Sequence, residues 1–275
     1  MQYALLIIFW MYLFPHAAVI AQMPAGTDTV FIQVPAGKYQ VGKKGHRLNP
    51  LRTVQVNAYA IAATEVTNEQ FARFVAATGY ITDAERLHNA LVFEPGLPEF
   101  RWKEDSTACW RYPNGVSRGD LTGKLQHPVT TISFTDVQAY CRWAGMRLPT
   151  PDEWEIAARA GSNTNYFWGR EMGRIGEFAN VWHGHDHLEA DSSDKYMYTS
   201  PIGSYRSNPW GIYDIYGNVF EFCDGHLGVE TIAHARGGSW WCSAHSCSYF
   251  NSLDIGRVHI HASFSNQGFR VVKNL

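Results

Sequence analysis

Three segments each open on a threonine followed three positions later by Gln or Glu: Thr67 with Gln70, Thr135 with Gln138, and Thr150 with Glu153. This is the capping-box spacing, in which each side chain satisfies an amide that the first helical turn leaves without a partner. Pro151 stands at the first helical position of the third segment, where a missing N–H costs nothing. An apolar stripe at helical spacing follows each box: Phe71, Phe74, Val75; Val137, Tyr140, Cys141, Ala144; Trp154, Ala157, Ala158. Gly79, Gly145 and Gly161 then close the segments. Beyond Gly161 the helical pattern disappears and turn residues dominate to Leu275. The chain therefore has to fold around a few short helices and a long stretch of loops and short strands.

Val30–Gly42 alternates between apolar and polar residues, is broken by Pro and Gly, and reads as a hairpin; Thr53–Thr67 continues in strand character. Ten Trp, 14 Tyr and 24 Gly in a chain only 17% charged favour aromatic packing under loops over long helical bundles. The 25 acidic and 23 basic residues nearly cancel, and no block of Lys or Arg occurs. Such a chain has no means of driving counterion release from a phosphate backbone, so nucleic acid is excluded as the expected partner. Residues 1–21 combine the apolar run Ala4–Phe14 with Pro15 and a small-residue end at Ala21, the pattern of a secretory signal. Residues 22–275 would then form one exported domain, secreted or periplasmic, with no membrane span after cleavage.

Export places the five cysteines in an oxidising compartment. Cys141 falls on the apolar stripe of the second helix and reads as a core residue, while Cys109 and Cys223 are scattered. Cys242 and Cys247 stand five positions apart in a segment rich in Gly and Trp. Zinc wants four N or S ligands, and only His245 is near in sequence. Three readings stay open for the pair: a soft-metal site for Cu(I), a dithiol switch and a structural disulfide. His183, His185 and His187 alternate and could bind a transition metal. Two oxygen-rich clusters, Asn180 with Asp194, and Asp214, Asn218 and Glu221 around Gly217, suit either a hard cation or Asx turns.

Several stretches, taken in order, resemble the formylglycine-generating enzymes, also called sulfatase-modifying factors. They are "EVTNEQFARFV" (65–75), "TGYITDAE" (78–85), "WRYPNG" (110–115), "HPVTTISFTDVQAYCRWAGMRLPTPDEWEIAARAG" (127–161), "FANVW", "YGNVFEF", "RGGSWWC" and "SNQGFRVV" (265–272). The resemblance implies an α+β, C-type-lectin-like fold, rich in loops and poor in regular structure. It implies a copper-dependent oxidase that uses dioxygen to convert a cysteine of an unfolded sulfatase-type peptide into formylglycine. On this resemblance Cys242 and Cys247 hold Cu(I), and Ser239 lines the oxygen pocket. Two structural Ca²⁺ sites map onto Asn180, Val181, Asp194 and Tyr196, and onto Asp214, Gly217, Val219 and Glu221.

The chain also departs from the family pattern. Ser246 stands where an aromatic residue precedes the second cysteine, and Ile255 stands where an Arg is expected, although Asn266 is retained. A disulfide of some members is lost at both ends, at Ala158 and Ser252, and Val271 removes the usual partner of Cys141. The peptide groove is therefore expected to be rebuilt, with His259 and His261 as contacts for a different peptide. Competing with sulfatase modification are a related oxidase of another thiol or small molecule, with copper or non-haem iron, and a non-catalytic lectin-like scaffold.

Overall fold

Helix starts are fixed locally by their caps, and two of the three lie where the spacing places them. In the computed structural model, Thr67 Oγ1 accepts from Gln70 N at 3.2 Å while Gln70 Oε1 accepts from Thr67 N at 2.9 Å. Thr150 and Glu153 make the same reciprocal pair. The middle helix starts two residues before the expected Thr135. Ser133 is its cap, accepting from Asp136 N at 3.2 Å, and Asp136 Oδ2 accepts from Ser133 N at 2.8 Å. Asp is short but still reaches back, so Ser-x-x-Asp outcompeted Thr-x-x-Gln.

The structure describes residues 29–184, 186–188, 195–226, 229–243 and 245–275. The expected signal segment 1–21, His185 and Asp194 lie outside the described residues. In chain order the strands are β1 (Phe31–Val34), β2 (Gly37–Val41), β3 (Arg52–Val56), β4 (Tyr59–Ala62), β5 (Ala90–Val92) and β6 (Lys103–Asp105). They continue with β7 (Phe220–His226), β8 (Ile232–Arg236), β9 (Gly256–His259), β10 (Gln267–Gly268) and β11 (Val272–Asn274). The α-helices are α1 (Asn68–Thr78), α2 (Asp83–Leu87), α3 (Phe134–Ala144) and α4 (Pro151–Arg159). Helix α2 was not expected: it has a capping box, Thr82 with Glu85, but five residues are too few to show a periodic stripe. No described helix is long and apolar enough to cross a membrane.

The expected hairpin over 30–42 does not form. Strand β1 pairs antiparallel with β4, and β2 pairs with β3. Only Pro35 and Ala36 separate β1 from β2, and a two-residue hairpin loop needs positive φ at one or both positions. Proline is locked near −65°. Strand β4 instead lies between β1 and β11, the first and last described strands, in one antiparallel sheet. A second sheet runs β10-β7-β8-β9, with β10 parallel to β7 and the rest antiparallel.

Two apolar cores lie under these sheets. One gathers Phe71, Phe74, Tyr140 and Phe269 beneath α1 and α3; the other gathers Trp154, Tyr216, Trp240 and Cys242 beside α4. All the stripe residues read from the sequence are buried, Cys141 included. Between the cores, buried ion pairs bind loops to elements. The Glu155 carboxylate on α4 accepts from Gly42 N, Asn49 Nδ2, Arg159 Nε and Arg236 NH2, at 2.7–2.8 Å.

The segment after β8 is shaped by Gly238, which has φ +71°. A Cβ there would lie 2.5 Å from Phe250 N and 2.6 Å from Phe250 Cα. At Gly161, φ is +86° but the space is open. Gly161→Ala should therefore cost only the left-handed backbone penalty, about 1–2 kcal/mol. Gly238→Ala should cost at least about 3 kcal/mol, because backbone must also move. Urea unfolding of the two variants, compared with the parent chain, checks the difference.

Candidate active site

Strand β8 ends at Arg236, and the turn through Gly237 and Gly238 delivers Ser239 to Cys247 against the second core. Cys242 is fully buried and Cys247 nearly so, and the two are bonded to each other, their Cα atoms 4.5 Å apart. A short loop holds them: Cys242 N donates to Ser239 O at 2.9 Å, and Ser243 N donates to Cys247 O at 3.1 Å. Ser239 Oγ lies 4.0 Å from Cys242 Sγ and accepts from Asn266 Nδ2 at 3.0 Å. The three residues expected to act together, and the retained Asn266, thus converge on one point.

Burial sets the other cysteines apart. It pushes the Cys141 thiol up to about 12 and raises those of Cys109 and Cys223. All three stay protonated at neutral pH and are poor nucleophiles and poor ligands. The donor set that remains, the two sulfurs of Cys242 and Cys247, suits a soft ion once reduced. Among the described residues, no three His, Cys, Asp or Glu side chains converge on a metal position.

A groove of about 520 Å³ opens beside Cys247. Its walls include Phe100, Trp102, Trp241 and Phe264, and Ile255 and Asn266 also line it. Ile255 therefore occupies the groove from which an Arg is missing. Ser246 is not in its lining: its hydroxyl donates to Glu99 Oε2 at 2.6 Å. His259 and His261, expected as peptide contacts, do not line it either. His261 Nδ1 lies 2.9 Å from Asp83 Oδ2, drawn to the acidic start of α2.

His187 was read as part of a histidine metal cluster, and its two ring nitrogens are otherwise engaged. Nδ1 lies 2.7 Å from Glu99 Oε1, and Nε2 lies 2.6 Å from the Trp241 carbonyl oxygen. The ring also stacks on the Trp241 indole, with centroids 4.1 Å apart. Burial pushes the Glu99 carboxyl upward, but hydrogen bonds from Ser246 and His187 outweigh it and hold it below its ordinary value. Ser246, Glu99 and His187 thus form one chain of contacts that fastens the cysteine loop. The tie is invisible in sequence, because residues 99, 187 and 246 are far apart in the chain.

The oxygen-rich clusters are adjacent. Gly217 sits against the Asn180 carbonyl so closely that no side chain would fit, and Asn218 N donates to that same oxygen at 2.8 Å. Asn180 Oδ1 and Asp214 Oδ1 are buried without a hydrogen-bond partner. Glu221 is better satisfied: Arg270 contacts both carboxylate oxygens at 2.6 Å, and Trp154 Nε1 donates at 2.7 Å. Glu65, not singled out from the sequence, is fully buried in the same region and also has an orphan oxygen, Oε2. Burial raises the carboxyl of Glu65, and the neighbouring Asp214 raises it further; burial raises that of Asp214 as well. Orphan carboxylate and amide oxygens beside backbone carbonyls are the donor chemistry of a hard cation. The Val181, Val219 and Tyr196 positions lie in the described segments on either side of these oxygens.

His187→Phe should keep the stacking but leave the buried Trp241 carbonyl without its donor, at a cost of roughly 1–3 kcal/mol. Urea unfolding of the variant, compared with the parent chain, checks the loss. A variant with unchanged stability would show that the tie is incidental.

Comparisons with known proteins identify the family. The model of the "Sulfatase-modifying factor enzyme 1-like domain" matches residues 16–275. A formylglycine-generating enzyme of Streptomyces coelicolor is 34% identical over 277 residues, covering 87% of each chain. An inactive C-alpha-formylglycine-generating enzyme 2 of Bos taurus is 33% identical, covering 78% of this chain and 77% of its own. The structure of PvdO from Pseudomonas aeruginosa superimposes with a TM-score of 0.64 at 21% identity, covering 89% of this chain and 94% of the other.

Proposed function

This chain belongs to the sulfatase-modifying factor enzyme 1-like family, and from that premise we propose that it oxidises a cysteine of a peptide substrate to formylglycine with dioxygen. The observation that carries the reading is the buried pair Cys242 and Cys247, with Ser239 beside it and a groove open to Cys247. Relatives with both active and inactive names resemble the chain about equally, so overall likeness does not decide between enzyme and scaffold. The retained cysteine pair favours the enzyme.

In the bonded form the pair offers no thiolate, so reduction has to precede metal loading. Cys242 and Cys247 would then hold Cu(I), which when bound supplies the one-electron redox chemistry that dioxygen needs. The protein's own contribution is placement. Asn266 and the Trp241 amide both donate to Ser239 Oγ, fixing the hydroxyl next to Cys242. The groove brings a peptide cysteine up to Cys247, and Trp241 and Phe264 in its walls keep water from the reacting carbon. Excluding water strengthens every polar contact inside the site. A related oxidase acting on another thiol is the second reading, favoured by Ile255 in the groove lining in place of an Arg. Export before action, to the periplasm or outside the cell, remains part of the proposal on the strength of residues 1–21.

Calcium is proposed as a structural ion at two sites, one held by Asn180, Val181, Asp194 and Tyr196, the other by Asp214, Gly217, Val219 and Glu221, with Glu65 adding charge at the second. Its support is the set of orphan oxygens. Burial raises the carboxyls of Glu65 and Asp214, and a divalent cation beside them would let both ionise.

Reduced protein loaded with Cu(I) and given oxygen should convert the cysteine of a sulfatase-type peptide, lowering its mass as two hydrogens pass to dioxygen and water then displaces the sulfur as hydrogen sulfide. Cys242→Ser and Cys247→Ser should each abolish conversion and tight Cu(I) binding. Conversion that survives in the double variant would remove the pair from the mechanism.

Calcium should raise the melting temperature. A ligand bound only by the native state adds about 2.7 kcal/mol at a hundredfold excess over Kd. Asp214→Ala should lose that response, and it is a cleaner probe than Glu221, whose removal would strand the buried Arg270. An unchanged melting curve on chelation would assign these oxygens to hydrogen bonding alone.

A further inference from the structure

The groove beside Cys247 has a charge and a polarity of its own. Arg47, from the connection between β2 and β3, and Arg257, on β9, both line it and are both exposed. No Asp or Glu is in the lining, and among the described residues neither arginine forms an ion pair. The acids close by in the chain are engaged elsewhere. Asp254 pairs with His46 and Asn251, and Glu99 is held by Ser246 and His187.

Two lining residues also carry buried polar atoms without a partner. Gln267, 6% exposed, has the orphan acceptor Oε1, and Trp241, 3% exposed, has the orphan donor Nε1–H. Leaving such groups unmade inside a protein is costly. Both atoms are covered by protein, so the charged groups open to a peptide in the groove are the two arginines. The remaining wall is aromatic, and Phe100 at its rim is 63% exposed with φ +59°. A bulky side chain held in the left-handed region is an outlier associated with ligand sites. The volume lies within the usual range of ligand pockets, roughly 300–1,000 Å³.

We propose that this groove selects peptides in which a large apolar residue and a carboxylate side chain flank the reacting cysteine. The apolar residue packs among Phe100, Trp102 and Phe264, and the carboxylate meets Arg47 and Arg257. The proposal rests on the groove being the substrate site of the reading above, and it names the peptide that site takes. A basic residue at the same position would be repelled by both guanidinium groups.

The test uses reduced, metal-free protein and dye-labelled peptides, so that binding is read apart from oxidation. Three peptides share a Phe and a Ser in place of the reacting cysteine, and differ only in a flanking Asp, Asn or Lys. Fluorescence anisotropy should rank them Asp, Asn, Lys, with about fivefold between successive members, as expected for exposed charge pairs. The ranking should shrink at high salt. Arg47→Glu/Arg257→Glu changes two exposed residues outside the fold's buried ion pairs, and it should invert the order. Equal affinities, a preference for Lys, no binding of any peptide, or an order unmoved by the charge reversal would each overturn the proposal. A protein that binds in the expected order, yet converts no matching cysteine peptide when loaded with copper, would keep the groove assignment and refute the oxidase reading.

Discussion

Two arginines with almost no solvent contact, Arg236 and Arg270, hold this loop-rich chain in one arrangement. Arg270 pairs with Glu221 on β7 and also donates to the carbonyls of Ala62 and Tyr213. Arg236 pairs with Glu155 on α4 and donates to the carbonyls of Ser252 and Leu253. Chain that is neither helix nor strand leaves its own carbonyls unsatisfied, and burying them without partners is expensive. A guanidinium has five donors in a rigid fork, so one side chain can satisfy a carboxylate and two backbone oxygens together. Removing either acid would strand a buried cation, which typically costs about 3–5 kcal/mol.

The cysteine loop inherits its rigidity from these ties. Arg236 fixes the end of β8, Gly237 and Gly238 make the tight turn, and Ser239 enters a cage formed with Asn266 and Trp241. On the far side of the loop, His187 and Glu99 bind the Trp241 carbonyl and Ser246. The pair is therefore held from both sides, by elements that themselves close on the core. A site that must place a substrate atom within a few tenths of an ångström needs such support. The groove then reaches Cys247 along an aromatic and cationic wall.

Much of this was legible locally. Two capping boxes, the apolar stripes and the burial of Cys141 followed from contacts three or four residues apart, which the sequence displays directly. The start of α3 was misplaced because two overlapping boxes compete within six residues, and only packing chooses between them. The hairpin was misread because alternation marks a strand without marking its partner. Glu65, the orphan oxygens near Asp214 and the His187 tie carried no local signal, since each depends on segments more than a dozen residues apart.

The sequence by itself determined where helices begin, which faces are apolar, and that Cys242 and Cys247 must share a loop, because five residues cannot separate far. It also carried, through ordered stretches spread along the chain, the family to which the chain belongs. Tertiary structure alone decided the rest: β4 between β1 and β11, Glu155 and Glu221 opposite arginines 81 and 49 positions away, and Arg47 in the same groove as Arg257. The physical reason is one of range. Capping and periodicity are energies of neighbouring residues, whereas the charge of a groove and the satisfaction of a buried carbonyl belong to whatever the folded chain brings alongside.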